Sequence, residues 1–182
     1  KIKEKRLWMQ KEYCVISELL ESPEKPCTFV LGGAKIADAF LMMESVLEKK
    51  VPDRILTGGL VANIMLAARG DFIGKASMDF IEKSNYADFI PKAAELYKKY
   101  KDFFVLPLDA AYTENGVRKE ALLGGIPEEA ALTDIGTQTA ELYKKIILES
   151  KTVFVNGPMG IFEESATEAG TKAVWDALGE TR

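Results

Sequence analysis

Four turns in the sequence carry residues able to hold a phosphate group: Gly32-Gly33-Ala34-Lys35, Gly58-Gly59, Pro107-Leu108-Asp109 and Asn156-Gly157-Pro158-Met159-Gly160. Glycine at a strand-to-helix turn lets backbone N–H groups approach a ligand with no Cβ in the way. The helix that follows aims its partly positive N-terminus at the same spot, which suits an anion. One such pair alone reads as a tight turn; several on successive strand ends favour a ligand site. Lys35 places a cation at a helix start, which is unfavourable by roughly 0.3–1 kcal/mol unless an anion sits there. Position alone weighs a phosphate-neutralising role and a solvated surface lysine equally.

Other chemistries are excluded by what the sequence lacks. It has no histidine, which removes a Ser-His-Asp triad, a histidine zinc site and a histidine general base together. No two glycines are spaced G-x-G, so the dinucleotide fingerprint is absent. The stretch from Gly70 to Ala76 imitates a P-loop, but it is one residue short between its glycines and has Ala76 where a magnesium-binding hydroxyl belongs. A net charge of −4 over 182 residues gives no general attraction to nucleic acid or an anionic membrane. The cysteines, Cys14 and Cys27, read as reduced thiols of a cytoplasmic protein. No apolar run is long enough to span a bilayer, and the first residues are not a signal peptide.

The elements that must position those turns follow from hydrophobic periodicity. Helices are predicted over Leu7–Leu20, Lys35–Lys50, Leu60–Arg69, Tyr86–Tyr100, Thr137–Glu149 (with Thr137 as N-cap) and Ser165–Leu178. Strands are predicted over Cys27–Leu31, Arg54–Thr57, Phe103–Leu108 and Thr152–Val155. Lys119–Leu123 is a short antiparallel piece after the turn Asn115-Gly116. Short apolar strands alternating with amphipathic helices predict an α/β fold, a three-layer αβα arrangement with a mainly parallel, Rossmann-like sheet. Ligands of such sheets bind outside the carboxyl ends of the strands, where the glycine turns lie. With 47% hydrophobic residues, the chain can build a sizeable core.

At these motifs the sequence resembles phosphoglycerate kinase, in order, over almost its whole length. LWMQKE resembles the start of the family's interdomain helix, and PEKPCTFVLGGAKIAD its strand, double glycine and catalytic lysine. ILTGGLVAN resembles its next glycine turn, IGKAS a piece of the following loop, and FFVLPLDAA its Leu-Pro-Val-Asp segment. TDIGTQT resembles its Asp-x-Gly stretch, and VFVNGPMGIFE its Asn-Gly-Pro-x-Gly-x-Phe-Glu signature.

The resemblance implies reversible phosphoryl transfer between 1,3-bisphosphoglycerate and ADP, giving 3-phosphoglycerate and ATP. It makes this chain the ADP- or ATP-holding lobe: residues 1–22 as an interdomain-type helix and 23–182 as the nucleotide-binding domain, incomplete at its C-terminal end. Phosphoglycerate would be held by an N-terminal domain absent here. The isolated lobe is expected to be monomeric and inactive. Lys35 would neutralise the transferring phosphoryl group. Gly33, Gly58 and Gly59 would shape the adenine slot, with Leu132 to Gly136 on its apolar side, and Gly32 would belong to the nucleotide-binding residues. Asn156, Gly157 and Gly160 would lie near the nucleotide, Pro158 would pack on the nucleoside, and Glu163 would accept from the ribose hydroxyls. Glu163 could equally complement a helix dipole. Mg²⁺ would travel with the nucleotide, with no protein ligand assigned. Three departures stand out: Ala39 where the family often has a second lysine, Thr57 where it often has glycine, and Ala130-Ala131-Leu132 in place of aromatic and methionine residues. These leave room for a nucleotide-binding module without catalysis.

Overall fold

The structure is a computed structural model that describes residues 7–9, 23–33, 35–157, 159–160 and 168–179. Its strands are β1 (Leu7–Met9), β2 (Cys27–Leu31), β3 (Arg54–Thr57), β4 (Phe104–Val105), β5 (Asp109–Glu114), β6 (Val117–Leu122), β7 (Asp134–Ile135) and β8 (Thr152–Asn156). The helices are α1 (Ile36–Glu48), α2 (Gly59–Arg69), α3 (Lys75–Lys83), α4 (Phe89–Lys99), α5 (Thr137–Glu149) and α6 (Ala169–Gly179). Five strands form a parallel sheet in the order β1-β8-β2-β3-β4, and β6-β5-β7 form a smaller antiparallel sheet.

Alternation along the central strands sorts the core into two layers. Cys27, Phe29, Leu31, Ile55 and Phe154 pack with α1 to α4 on one face, and Val30, Leu56, Val153 and Val155 with α5 and α6 on the other. All five residues of β2 are buried, as befits a strand covered on both faces. Phe29 and Phe154 meet across neighbouring strands with ring centroids 5.0 Å apart, a tilted pair that adds to area burial. The three-layer arrangement expected from the sequence is therefore present, with β2 and β3 at their expected limits.

Several expectations change. Leu7–Met9, read as the beginning of a helix, is an edge strand in register with Val153–Val155; residues 10–22 of that segment lie outside the described residues. A pairing partner nearly 150 positions away overrides local helical spacing, because strand preference is largely set by neighbours. Phe103–Leu108 yields only a two-residue strand, preceded by a 3-10 turn over Lys101–Phe103. Pro107 cannot donate to a ladder and ends it. The helix expected from Tyr86 begins at Phe89, which puts Pro91 in its first turn, where a missing N–H is harmless. Helix α3 and strands β5 and β7 were not anticipated. The Asn115-Gly116 turn does close a hairpin, β5–β6, with φ of 51° and 76° at its two residues, the conformation of a tight I′ connection. Of the last predicted helix, 168–178 are described and α6 starts at Ala169; 165–167 lie outside the described residues.

The N-cap of α5 is Gly136, not Thr137. Its acceptor comes from another strand: Gln138 and Thr139 donate their backbone N–H groups to the Asp109 carboxylate at 3.0 and 2.9 Å. A carboxylate at a helix N-terminus satisfies orphan donors and complements the dipole. The small sheet is thus tied to the main body through Asp109.

Cys27 is fully buried. Burial pushes its thiol from an ordinary 9.0 to about 11, with Lys25 pulling it down and Asp53 pushing it up. The native state therefore keeps its proton where the unfolded thiol has already lost one. Stability from this group is present below pH 9 and is expected to decline between pH 9 and 11, by at most about 1.4 kcal/mol per pH unit. Urea unfolding across that range, compared with Cys27→Ala, isolates the effect. At pH 8 the native thiol should resist iodoacetamide, read by peptide mass. Rapid native alkylation would contradict this placement.

Candidate functional site

Strands β8, β2 and β3 are adjacent and parallel, so their carboxyl ends lie side by side. Their glycine turns interlock. Gly32 donates to the Asn156 carbonyl at 2.7 Å, Gly58 to the Leu31 carbonyl at 2.9 Å, and Gly59 to the Met159 carbonyl at 2.7 Å. Gly157, at φ 83°, sits so close to the first turn that a Cβ would come within 2.6 Å of the Gly32 carbonyl oxygen. Gly160 is equally tight against Thr133 and Asp134. The structure therefore gathers Gly32, Gly33, Gly58, Gly59, Asn156, Gly157 and Gly160 on one rim. Pro158 and Glu163 lie outside the described residues.

Lys35 occupies the N-cap position of α1, exposed, with no side-chain cap bond. It has no salt-bridge partner among the described residues. A cation at the N-cap of a helix is electrostatically unfavourable unless an anion lies beside it. Ala39, one turn further on, is buried.

Beside this rim lies a narrow cleft of about 10 Å³, room for roughly one water molecule. Gly59, Ala62, Asn63 and Leu66 line one wall at i, i+3, i+4 and i+7 of α2, facing Pro107, Ala110, Leu132, Asp134, Ile135 and Met159. Its lining is mostly apolar, so widening it would open an apolar slot beside the glycine turn at Gly59. Leu132 is among the residues lining this cleft. Asn63, Leu66 and Ala110 were given no site role in the sequence, and Pro107 and Met159 were named only as members of their turns; the small-residue stripe on α2 was the one visible signal for Asn63 and Leu66.

Polar groups at the cleft floor are mostly committed. Asp134 accepts from the Ile135 N–H at 2.8 Å, the Gly170 N–H at 2.7 Å and the Arg118 guanidinium at 2.8 Å. Burial pushes Asp134 above the usual carboxylate range, against the pull of the Gly170 N–H and Arg118. Arg118 also binds Glu120 at 2.9 Å. No group of three or more metal-ligating side chains occurs among the described residues, and Asp134 and Asp109 are occupied by helix and arginine donors. These residues do not build a protein cage for a divalent cation.

The P-loop imitation is closed by the chain itself. Lys75 N–H donates to the Glu128 carbonyl at 2.7 Å, and a Cβ on Gly74 would lie 2.0 Å from the Ala130 carbonyl oxygen. The first N–H of that helix is taken by the chain's own backbone.

One atom at the rim is orphaned. The Thr57 carbonyl accepts from the Tyr143 hydroxyl at 2.5 Å, yet the Thr57 Oγ1 is buried with no hydrogen-bond partner among the described residues. An unsatisfied buried hydroxyl costs about 1–3 kcal/mol. Thr57→Val keeps shape and β-branching and is expected to stabilise the free chain by about 1 kcal/mol, read as a rise in urea midpoint at constant m-value. A loss of stability would mean that the hydroxyl has a partner in solution.

The comparisons bear on this geometry. The sequence profile described as phosphoglycerate kinase matches residues 7–182. Among curated proteins, the phosphoglycerate kinase of Methanothermobacter thermautotrophicus is 40% identical over 173 residues, covering 95% of this chain and 42% of that protein. That of Methanococcus maripaludis is 42% identical over 176 residues, covering 96% and 42%. Among solved structures, phosphoglycerate kinase from Pyrococcus horikoshii superposes with a TM-score of 0.86 at 32% identity, covering 91% of this chain and 42% of that one. The enzyme from Coxiella burnetii gives 0.78 at 28% identity, with the same coverage. The chain thus spans less than half the length of the relatives it matches.

Proposed function

The chain belongs to the phosphoglycerate kinase family, and from that premise we propose that it is the nucleotide-binding lobe of a kinase transferring a phosphoryl group between 1,3-bisphosphoglycerate and ADP. One observation carries the reading: the glycine ends of three adjacent parallel strands interlock on one rim, Lys35 follows the first of them at the N-cap of α1, and Gly59 and Met159 of that rim also line the cleft. In it the adenine enters the cleft between α2 and Leu132, and the phosphates run over Gly32, Gly33, Asn156 and Gly157 toward Lys35. Pro158 would pack on the nucleoside and Glu163 would bind the ribose.

In the transfer, a β-phosphate oxygen of ADP attacks the phosphorus of the acyl phosphate. The P–O bond to the acyl group breaks, and 3-phosphoglycerate leaves as a carboxylate. A carboxylate is a good leaving group and the ADP oxygen is already anionic, so no general base is needed. A site without histidine suffices. Positioning and charge stabilisation supply the catalysis. Mg²⁺ would be carried mainly on the nucleotide. Phosphoglycerate is held by a second lobe, which the segment 1–22 helps connect, and closure excludes water. The lobe by itself is a cytoplasmic monomer without turnover.

Calorimetry with ADP tests the assignment. Saturable heat and a rise in melting temperature are expected, because a ligand that binds only the native state stabilises it by mass action. Neither signal at millimolar ADP would sink it. Ala39 supports a second reading, a nucleotide-holding module without catalysis. Joining the chain to the segments its relatives possess separates the two: binding without turnover favours the module.

A further inference from the structure

The cleft contains a polar side chain, Asn63, whose amide oxygen accepts from no donor among the described residues. Asn63 lies on α2 one turn below Gly59, between the rim and Leu66 at the bottom of the wall. Its Nδ2 donates to the Leu132 carbonyl at 3.4 Å. That carbonyl can only accept, so the amide group is oriented by it: reversing the amide would set oxygen against oxygen. The Oδ1 is left as an acceptor with no donor among the described residues. Asp134, the other polar group in the lining, already accepts from Ile135, Gly170 and Arg118, and its carboxylate is held in place by them. The remaining lining is apolar or glycine.

We infer that Asn63 is the residue that selects the base, its Oδ1 accepting a hydrogen bond from an exocyclic amino group and so favouring adenine over 6-oxo purines. The inference rests on the nucleotide-binding reading of this cleft. A base entering with its sugar toward Gly59 lies along the 59-62-63-66 stripe, and its far edge reaches the level of Asn63. An amino group there meets an acceptor. A carbonyl group there meets Oδ1 acceptor to acceptor, and relief by rotating the amide breaks the bond to Leu132. A site that offers one fixed acceptor in an apolar slot rejects the partner that cannot donate.

The test compares ADP, inosine diphosphate and purine riboside diphosphate, which lacks the exocyclic group, by calorimetry on the chain and on Asn63→Leu. The wild-type chain is expected to bind ADP about tenfold more tightly than either analogue, the effect of one hydrogen bond. In Asn63→Leu the preference is expected to shrink to about twofold or less through weaker ADP binding, with the analogues little changed. Equal binding of the three diphosphates by the wild-type chain overturns the role of Asn63 while leaving the lobe assignment standing. So does an undiminished preference in the variant. The wild-type series decides the matter even if the variant does not fold. No binding of any diphosphate removes both.

Discussion

Gly157→Ala is expected to destabilise the chain by roughly 2–5 kcal/mol, a large share of what holds a domain of this size together. Two effects coincide at this position. The backbone is left-handed, with φ 83°, which costs an L-residue about 1–2 kcal/mol. The new methyl would also stand 2.6 Å from the Gly32 oxygen, 2.7 Å from its carbonyl carbon and 2.9 Å from the Gly33 nitrogen. These are backbone atoms, pinned by the Gly32 hydrogen bond to Asn156, and they cannot swing aside as a long side chain would. Forcing an extra methyl into a packed site typically costs about 1–3 kcal/mol more. Gly116→Ala is the matched control: its φ is 76°, but nothing lies within 4 Å of its Cβ. It should show the conformational penalty alone, about 1–2 kcal/mol. Equilibrium urea unfolding of the two variants measures the difference. If Gly157→Ala proves no worse than Gly116→Ala, the two turns do not touch in solution, and the shared rim is not a rigid cradle.

Local chemistry explains which parts of the molecule were legible in the sequence. Strands β2 and β3 are short apolar runs closed by glycine pairs, so both their limits and the side on which their turns lie follow from residues within a few positions. The hairpin announced itself through Asn115-Gly116, but its first strand, DAAYTE, has no clean alternation. The reason is that Asp109 points into the body to cap α5 and Ala110 and Ala111 are buried in succession. β1 was hidden for a different reason. Leu7, Trp8 and Met9 fit a helical pattern with Val15 to Leu20, and only β8, far along the chain, makes them a strand. The candidate site divides in the same way. Glycine turns are visible because a backbone constraint dictates residue type. Asn63 and Leu66 were not, because which stripe of α2 faces a cleft depends on how the small sheet docks against it.

Lys35→Ala should lower kcat by about 10²–10³, in an enzyme joining this lobe to a phosphoglycerate-holding lobe, while changing ADP affinity by about twofold or less. The asymmetry follows from where the ammonium group sits. It is exposed, at the N-cap of α1, without a salt-bridge partner among the described residues. An ammonium at the positive end of a helix is unfavourable by roughly 0.3–1 kcal/mol, so the alanine variant of the free chain should melt no lower than wild type, and slightly higher at low salt. A residue kept at such a position for structure would show the opposite. The compensating anion need not be ADP itself, whose phosphates already meet backbone N–H groups at the glycine turns in the proposed pose. In the proposed function it is the phosphoryl group in flight, whose charge spreads over three oxygens as it leaves the acyl carboxylate. An interaction made only then lowers kcat and kcat/KM together when removed. Stopped-flow turnover paired with ADP titration and thermal melting reads all three quantities. Parallel losses in turnover and ADP affinity would make Lys35 an ordinary ground-state ligand. A marked drop in melting temperature would make it a structural one.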